Sequence, residues 1–173
     1  MATVSQPSIE FFPIGPNAWP NVGQSIVRLE REHFAPGLQD EPRALAKLIK
    51  STTSIVIGVR TAEIPLAGYI ASDVLERFGD VPGVRHDPHW GHGDTHYIAA
   101  VVVIPDVRHK GVATALTKHC VRAAYDQGFH RVTAHIEAGA AFKIDNRIRV
   151  LGSYPDWYGT GRIFQYVEFP SRR

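Results

Sequence analysis

Three side chains that carry or can acquire positive charge, Arg108, His109 and Lys110, stand together just before Gly111 in the stretch VIPDVRHKGVATAL. Upstream lies an almost unbroken run of strand-forming apolar residues, 96–104; downstream, small and apolar residues recur at helical spacing. A strand that turns into a helix N-terminus leaves several backbone N–H groups unpaired and about half a positive charge at that end. Such a terminus is an anion site. Gly111 keeps a Cβ out of a ligand's way and Ala113 is nearly as small. Arg108 and Lys110 can add charge-assisted bonds to phosphate oxygens. The same features also permit a plain capped helix with solvated basic residues in front. The P-loop spacing G-x-x-x-x-G-K-[ST] and the dinucleotide fingerprint G-x-G-x-x-G are both absent here.

A second concentration of chemistry is RHDPHWGHGDTHY, which holds His86, His89, His92 and His96 together with Asp87 and Asp94. Imidazole and carboxylate suit zinc or another first-row metal. Yet the spacing matches no structural zinc motif, cysteines are absent from the stretch, and no metal site is assigned. In a second reading the loop receives an acceptor: Trp90 offers an apolar or cation–π wall, while Asp80, Asp87 and Asp94 attract an ammonium group. A solvated insertion is the third. The acceptor reading leads, because long loops in compact domains tend to be functional. The aromatic stretch SYPDWYGTG adds Tyr154, Trp157 and Tyr158. Cys120, the single cysteine, falls on the apolar side of a helix and reads as an inert core thiol.

The elements that must position these residues follow from periodicity. A short strand at 8–16 is stopped by Pro13 and Pro16. Helices follow over 21–34, with Val22, Ile26, Leu29 and Phe34 in register, and over 41–51, with Leu45, Leu48 and Ile49 on one face. Strands 54–60 and 65–72 form a hairpin, and the irregular 73–94 leads into strand 96–104. That run is apolar throughout, as a central strand covered on both faces must be. Helix 110–127 places Val112, Leu116, Cys120 (or His119) and Ala124 on one side and stops at Gly128. A strand at 131–138, a weaker helix within 140–151 and a last strand at 162–169 complete the order β-α-α-β-β-β-α-β-α-β. This is an α/β domain with a mixed central sheet, helices on both faces and no linker to divide 1–173.

Bulk properties narrow the function. At 173 residues, with 44% hydrophobic and 21% charged, the chain supports one buried core. Net charge is +2 and the basic residues are scattered apart from 108–110 and Arg172–Arg173. Neither a nucleic-acid surface nor a membrane segment is expected. One cysteine and no leader-like N-terminus fit a cytoplasmic location.

The stretch RHKGVA at 108–113 resembles the (Arg/Gln)-x-x-Gly-x-(Gly/Ala) motif of the GNAT superfamily of acyl-CoA-dependent N-acyltransferases. VVVIPDVRHKGVATALTKHCVRAAYDQGFHRVTAHI resembles that family over its whole pyrophosphate-binding segment, and the upstream β-α-α-β-β order fits as well. The resemblance implies acetyl-CoA as acyl donor. Backbone amides from His109 through Lys110, Gly111, Val112 and Ala113 to Thr114 would bind its pyrophosphate, with Arg108 beside them. Val101, Val102 and Val103 would pair with its pantetheine arm as though it were an added strand.

A primary amine would then attack the thioester directly, with a small cationic amine or amino acid as the expected acceptor and a homodimer as a possible assembly. The site must hold the amine, remove a proton and stabilise the oxyanion. Aligned on the family's last helix, IRVLGSY puts Ile148 where a tyrosine acid is common and Ala141 where an asparagine is. Tyr158, with Tyr154 behind it, is therefore the leading acid. Tyr97 falls at the usual position of the base, with His96 and Asp94 beside it. Trp90 and Asp94 are the expected acceptor contacts. A CoA-binding module without turnover, a metal-binding or interaction domain, and an enzyme for protein lysine or N-terminal amines remain as alternatives.

Overall fold

The computed structural model describes residues 8–171. The first seven residues, where no leader is expected, and the Arg172–Arg173 pair fall outside them. In chain order the elements are β1 (Glu10–Pro13), α1 (Trp19–His33), α2 (Pro42–Ile49), β2 (Ile55–Arg60), β3 (Gly68–Val74), β4 (Thr95–Val103), α3 (Val112–Asp126), β5 (Arg131–Glu137), α4 (Ala141–Ile144), β6 (Arg149–Tyr154) and β7 (Phe164–Glu168). They build one mixed sheet in the order β1-β2-β3-β4-β5-β7-β6. Among the described strands only β4 and β5 run parallel. A parallel pair requires a crossover, and α3 supplies it.

Two apolar layers sandwich the sheet. Val112, Leu116, Cys120 and Ala124, spaced at i, i+4, are all buried and pack α3 on Ile70, Ile98, Val132 and Val167. Cys120 takes the inner position; His119 is exposed and its ring sits 4.9 Å from Phe11. Truncating Leu116 to alanine would cost about 2–5 kcal/mol. On the opposite face, α1 and α2 lay Ile26, Leu29, Leu45 and Ile49 over Tyr69, Ala71, Ala100 and Val102.

Two segments differ from the periodicity reading. The helix expected within 140–151 is a single turn, because Asp145 turns extended (φ −156°) after Ile144. Arg149–Tyr154 is instead an edge strand on β7. Its pairing skips Leu151, between Val150↔Val167 and Gly152↔Tyr166, and that extra residue breaks the alternation that marks a strand. Ile148 is therefore a buried residue at a strand entry, not a helical one, so the alignment that set it in the tyrosine position does not hold. The stretch 73–94 is no solvated insertion either. Its short 3-10 turns bury Leu75 and Val84 completely against Tyr97 and Tyr166.

Candidate active site

β4 and β5 pair over only four residues, Thr95↔Arg131 to Ile98↔Ala134, and then part. β5 continues along β7 as far as Glu137↔Phe164, while β4 stays with β3. The separation coincides with a bulge in β4: Ala71 pairs with Ala100 and Ser72 with Ile98, leaving Ala99 unpaired. Bulges bend a strand and raise its twist. Beyond it, the β5 side of β4 has no strand partner among the described residues. In an antiparallel pair alternate residues point their N–H and C=O toward the neighbour. Ile104 N–H donates to Ala67 O toward β3, whereas Val103 O accepts from Arg108 Nε at 2.8 Å. Val103, and Val101 two residues earlier, thus present their backbone groups to the open side. Val102 turns its own toward β3 and its side chain into the core.

The chain then makes a tight turn. His109 (φ 60°) and Gly111 (φ 73°) are both left-handed, a conformation alternation that gathers successive N–H groups into a concavity. Ala115 N–H is the first to find an acceptor, Gly111 O at 2.9 Å. The six amides from His109 to Thr114 have no acceptor among the described residues. No acidic side chain occupies the first turn of α3 and none caps it. The helix end is therefore an open cradle. Lys110 is exposed in front of it. Arg108 is committed elsewhere: besides Val103 O, its Nη2 donates to His33 Nδ1 at 3.3 Å, tying the turn to the end of α1.

At the apex of the split sit Tyr97, from β4, and His135, the first β5 residue past the paired stretch. The Tyr97 hydroxyl is 2.9 Å from His135 Nδ1. The imidazole is sandwiched between Trp157 (ring centroids 4.4 Å, 25° apart) and Tyr166 (4.7 Å, 22°). Burial drives its pKa down to about 3, so it is neutral, and burial drives the Tyr97 phenol far up. With the imidazole hydrogen on Nε2, the side the Pro82 carbonyl favours, Tyr97 donates to Nδ1 and keeps its oxygen lone pairs for another donor. Tyr166 is held in turn, its hydroxyl donating to Asp87 Oδ2 at 2.6 Å. Asp87 also accepts from Arg131 Nη1 at 2.6 Å, and Arg131 Nε donates to Glu168 at 2.5 Å. Burial opposes the Asp87 charge, but the Arg131, Tyr166 and His89 amide bonds outweigh it and hold the carboxyl below its usual range. Asp87 is thereby an internal anchor, not an attractor for substrate.

The mouth of the cleft is formed by two connections. A Cβ added at Gly37, between α1 and α2, would meet the Tyr158 carbonyl at 3.0 Å, so the α1–α2 and β6–β7 segments abut. Tyr158 is half exposed there. Partial burial, then the charges of Asp40 and Asp80, raise its phenol above its usual range. Beneath the α1–α2 turn, Glu30 is 1% exposed and accepts hydrogen bonds from the Tyr69 hydroxyl and, at 3.3 Å, from Asp40 N–H. Burial raises its pKa to about 7.

Of the residues singled out by sequence, the structure brings together Val101, Val103, the 109–114 turn, Tyr97 and, at the rim, Tyr158. It separates others. His96 is fully buried on the α3 side, bonded to Ser72 Oγ at 3.0 Å and edge-on to Phe129, with its pKa lowered to about 4 by burial. It cannot reach the cleft. Asp94 precedes β4, five residues or about 16 Å of extended chain before the bulge. Its partners are His89 and Thr95. Trp90 packs in the cluster beneath Tyr97, with the Arg85 guanidinium 5.7 Å over its ring. The sequence reading passed over His135 and Glu30. Both left a signal: in RVTAHIEA every second residue, Arg131, Thr133 and His135, is polar on one face, and Glu30 interrupts the apolar stripe of α1.

The profile described as "Acetyltransferase (GNAT) family" matches residues 24–143. No curated protein matches the chain by sequence. Among solved structures, Arabidopsis thaliana NAA60 in complex with acetyl-CoA is similar at TM-score 0.71 and 18% identity, covering 94% of this chain and 98% of that one. The Escherichia coli ribosomal-protein-S18-alanine N-acetyltransferase gives 0.68 and 13%, covering 94% of each. A chain of the NatC complex bound to Gag peptide and CoA gives 0.72 and 13%, covering 95% and 99%. At these identities the likeness concerns the fold.

Proposed function

Because this chain belongs to the GNAT acetyltransferase family, we propose that it transfers the acetyl group of acetyl-CoA to the α-amino group of a peptide or protein. The observation that carries this is the split between β4 and β5, with the Tyr97–His135 pair at its apex and six unpartnered amides at its far end. A diphosphate fits the amides of His109 to Thr114, with Lys110 adding charge from outside. The pantetheine arm fits along β4 as an extra strand, bonded to the Val101 and Val103 backbone. That run aims the thioester at Tyr97.

In the reaction the amine nitrogen bonds to the thioester carbonyl carbon, the carbonyl oxygen gains the negative charge, and the C–S bond then breaks to release the CoA thiolate. Free N–H groups on the open side of β4 lie where that oxyanion forms. Tyr97, its own hydrogen turned to His135, accepts a hydrogen bond from the amine and points the nitrogen lone pair at the carbonyl. The proton shed by nitrogen is taken up by the departing thiolate, directly or through water.

The acceptor class follows from what the apex lacks. A neutral imidazole and a phenol are poor sinks for the proton of a tightly held ammonium, so the amine must arrive deprotonated. At pH 7.5 roughly a third of α-amino groups are neutral, against about one lysine in a thousand. The rim adds the carboxylates of Asp40 and Asp80, near enough to act on the half-exposed Tyr158. Two of the structural neighbours named above, the ribosomal-protein-S18-alanine N-acetyltransferase and the NatC chain bound to Gag peptide, support this reading. Release of CoA thiol from acetyl-CoA would be followed with free-N-terminus peptides, the same peptides N-blocked but carrying lysine, and small amines. Turnover of the free N-termini is expected. Turnover of the blocked lysine peptides or small amines alone would overturn the acceptor assignment.

A further inference from the structure

The histidine-rich turn between β3 and β4 lies away from the cleft and takes no part in the transfer described above. Within it, His89, His92 and Asp94 each bring one potential ligand atom, and all these atoms lie within 4.8 Å of one another. His89 Nδ1 is already 3.0 and 3.3 Å from the two Asp94 oxygens. Zinc-class cations bind imidazole nitrogen and carboxylate oxygen at about 2.0–2.2 Å, which in a tetrahedron sets neighbouring ligand atoms about 3.3 Å apart. One edge of that figure is therefore formed, and His92, exposed on the surface, has only about 1.5 Å to close.

The backbone around the three residues is fixed. Glu76 Oε1 accepts from Gly91 N–H (2.9 Å) and Gly93 N–H (3.0 Å), pinning both left-handed glycines between the histidines and Asp94. His92 N–H donates to His89 O, and His89 N–H to the buried Asp87. Asp94 is steadied by Thr95 Oγ1 at 2.8 Å, as ligating carboxylates commonly are by a hydroxyl donor. Partial burial works against its charge, but the His89 and Thr95 hydrogen bonds prevail, and the carboxyl is held below its ordinary range. Among the described residues no lysine or arginine is paired to it.

The geometry points to a binding site for a divalent cation of the zinc class at His89, His92 and Asp94. Two imidazoles and one carboxylate favour a borderline transition metal over magnesium or calcium, which take oxygen ligands. On binding, His89 moves its hydrogen to Nε2, the Nδ1 lone pair and an Asp94 oxygen turn to the cation, and water completes the shell. The occupied site would clamp the loop that delivers Asp87 to Arg131 and Tyr166, and through Tyr166 to the ring stack around His135.

The test is titration of the full-length, tag-free protein with zinc by calorimetry, and with cobalt by its visible absorption. One saturable equivalent with a four-coordinate cobalt spectrum is expected, at an affinity reduced tenfold or more by His92→Ala and by Asp94→Asn. His119→Ala, on the exposed side of α3, serves as the control and is expected to bind as the parent does. His92 is exposed and makes no side-chain hydrogen bond among the described residues, so its variant reports on ligation even where Asp94→Asn fails to fold. Undiminished affinity in His92→Ala, an equal loss in His119→Ala, or no saturable uptake would overturn the site. Retained magnesium binding with no zinc preference would overturn the cation class.

Discussion

The Tyr97 hydroxyl stands 2.9 Å from His135 Nδ1, across the line where β4 and β5 cease to pair. The hydrogen bond occupies the Tyr97 proton and leaves its oxygen as an acceptor. Phenylalanine at 97 keeps the ring contact with Phe78 but removes that oxygen. If Tyr97 aligns the amine as proposed, Tyr97→Phe lowers kcat about tenfold, the worth of one hydrogen bond lost in the transition state. Acetyl-CoA affinity, set at the other end of the cleft, stays unchanged. Steady-state kinetics beside calorimetry separates the two; an unaltered kcat removes Tyr97 from the mechanism.

Gly111 offers a test of the cradle. A Cβ added there meets nothing within 4 Å, so alanine would fit; the obstacle is the backbone, at φ 73°. For an alanine that region costs about 1–2 kcal/mol. Since the turn must hold this shape to aim its amides, Gly111→Ala is expected to weaken coenzyme A binding about 5- to 30-fold, with the circular dichroism spectrum intact. Binding undiminished would mean that the amides of 109–114 do not hold the diphosphate.

Cys120 is wholly buried against α3's partner strands, its thiol donating to Ser72 Oγ at 3.2 Å. Burial pushes the thiol pKa up to about 12, and thiolate is the reactive form. The folded protein is therefore expected to resist a thiol-specific disulfide reagent at pH 8 and to react with one equivalent on unfolding in guanidinium. Stoichiometric labelling of the native protein within minutes would contradict this burial.

How much of this was legible in the chain depended on which force placed each residue. The apolar run of β4, the i, i+4 face of α3 and the basic turn between them are local patterns, and they located the cradle and the central strand. Arg108 and His96 misled because residue type carries no direction: strand alternation turned His96 under α3, and a free carbonyl on Val103 drew Arg108 back. His135 and Glu30 matter through partners 38 and 39 residues away, Tyr97 and Tyr69, and no short window contains both members of such a pair. The extra residue at Leu151 hid a whole strand for a similar reason, since a bulge is defined by the partner strand.

Glu30 provides the clearest handle on pH. Its carboxyl is buried under the α1–α2 turn, and burial pushes its pKa from the ordinary 4.5 up to about 7 in the folded protein. A raised acid pKa means that the folded state binds its proton more tightly than the unfolded chain. The Glu30 contribution to stability is thus greatest below about pH 4.5, declines as pH climbs toward 7, and levels off above it, with a span of about 3 kcal/mol. Glutamine at 30 keeps an oxygen to accept from Tyr69 and carries no charge. Thermal unfolding of Glu30→Gln is expected to show less loss of Tm than the parent between pH 5 and pH 8, and a higher Tm than the parent at pH 8. Parallel curves for the two proteins would show that Glu30 does not titrate in this range and that some other group governs the α1–α2 turn.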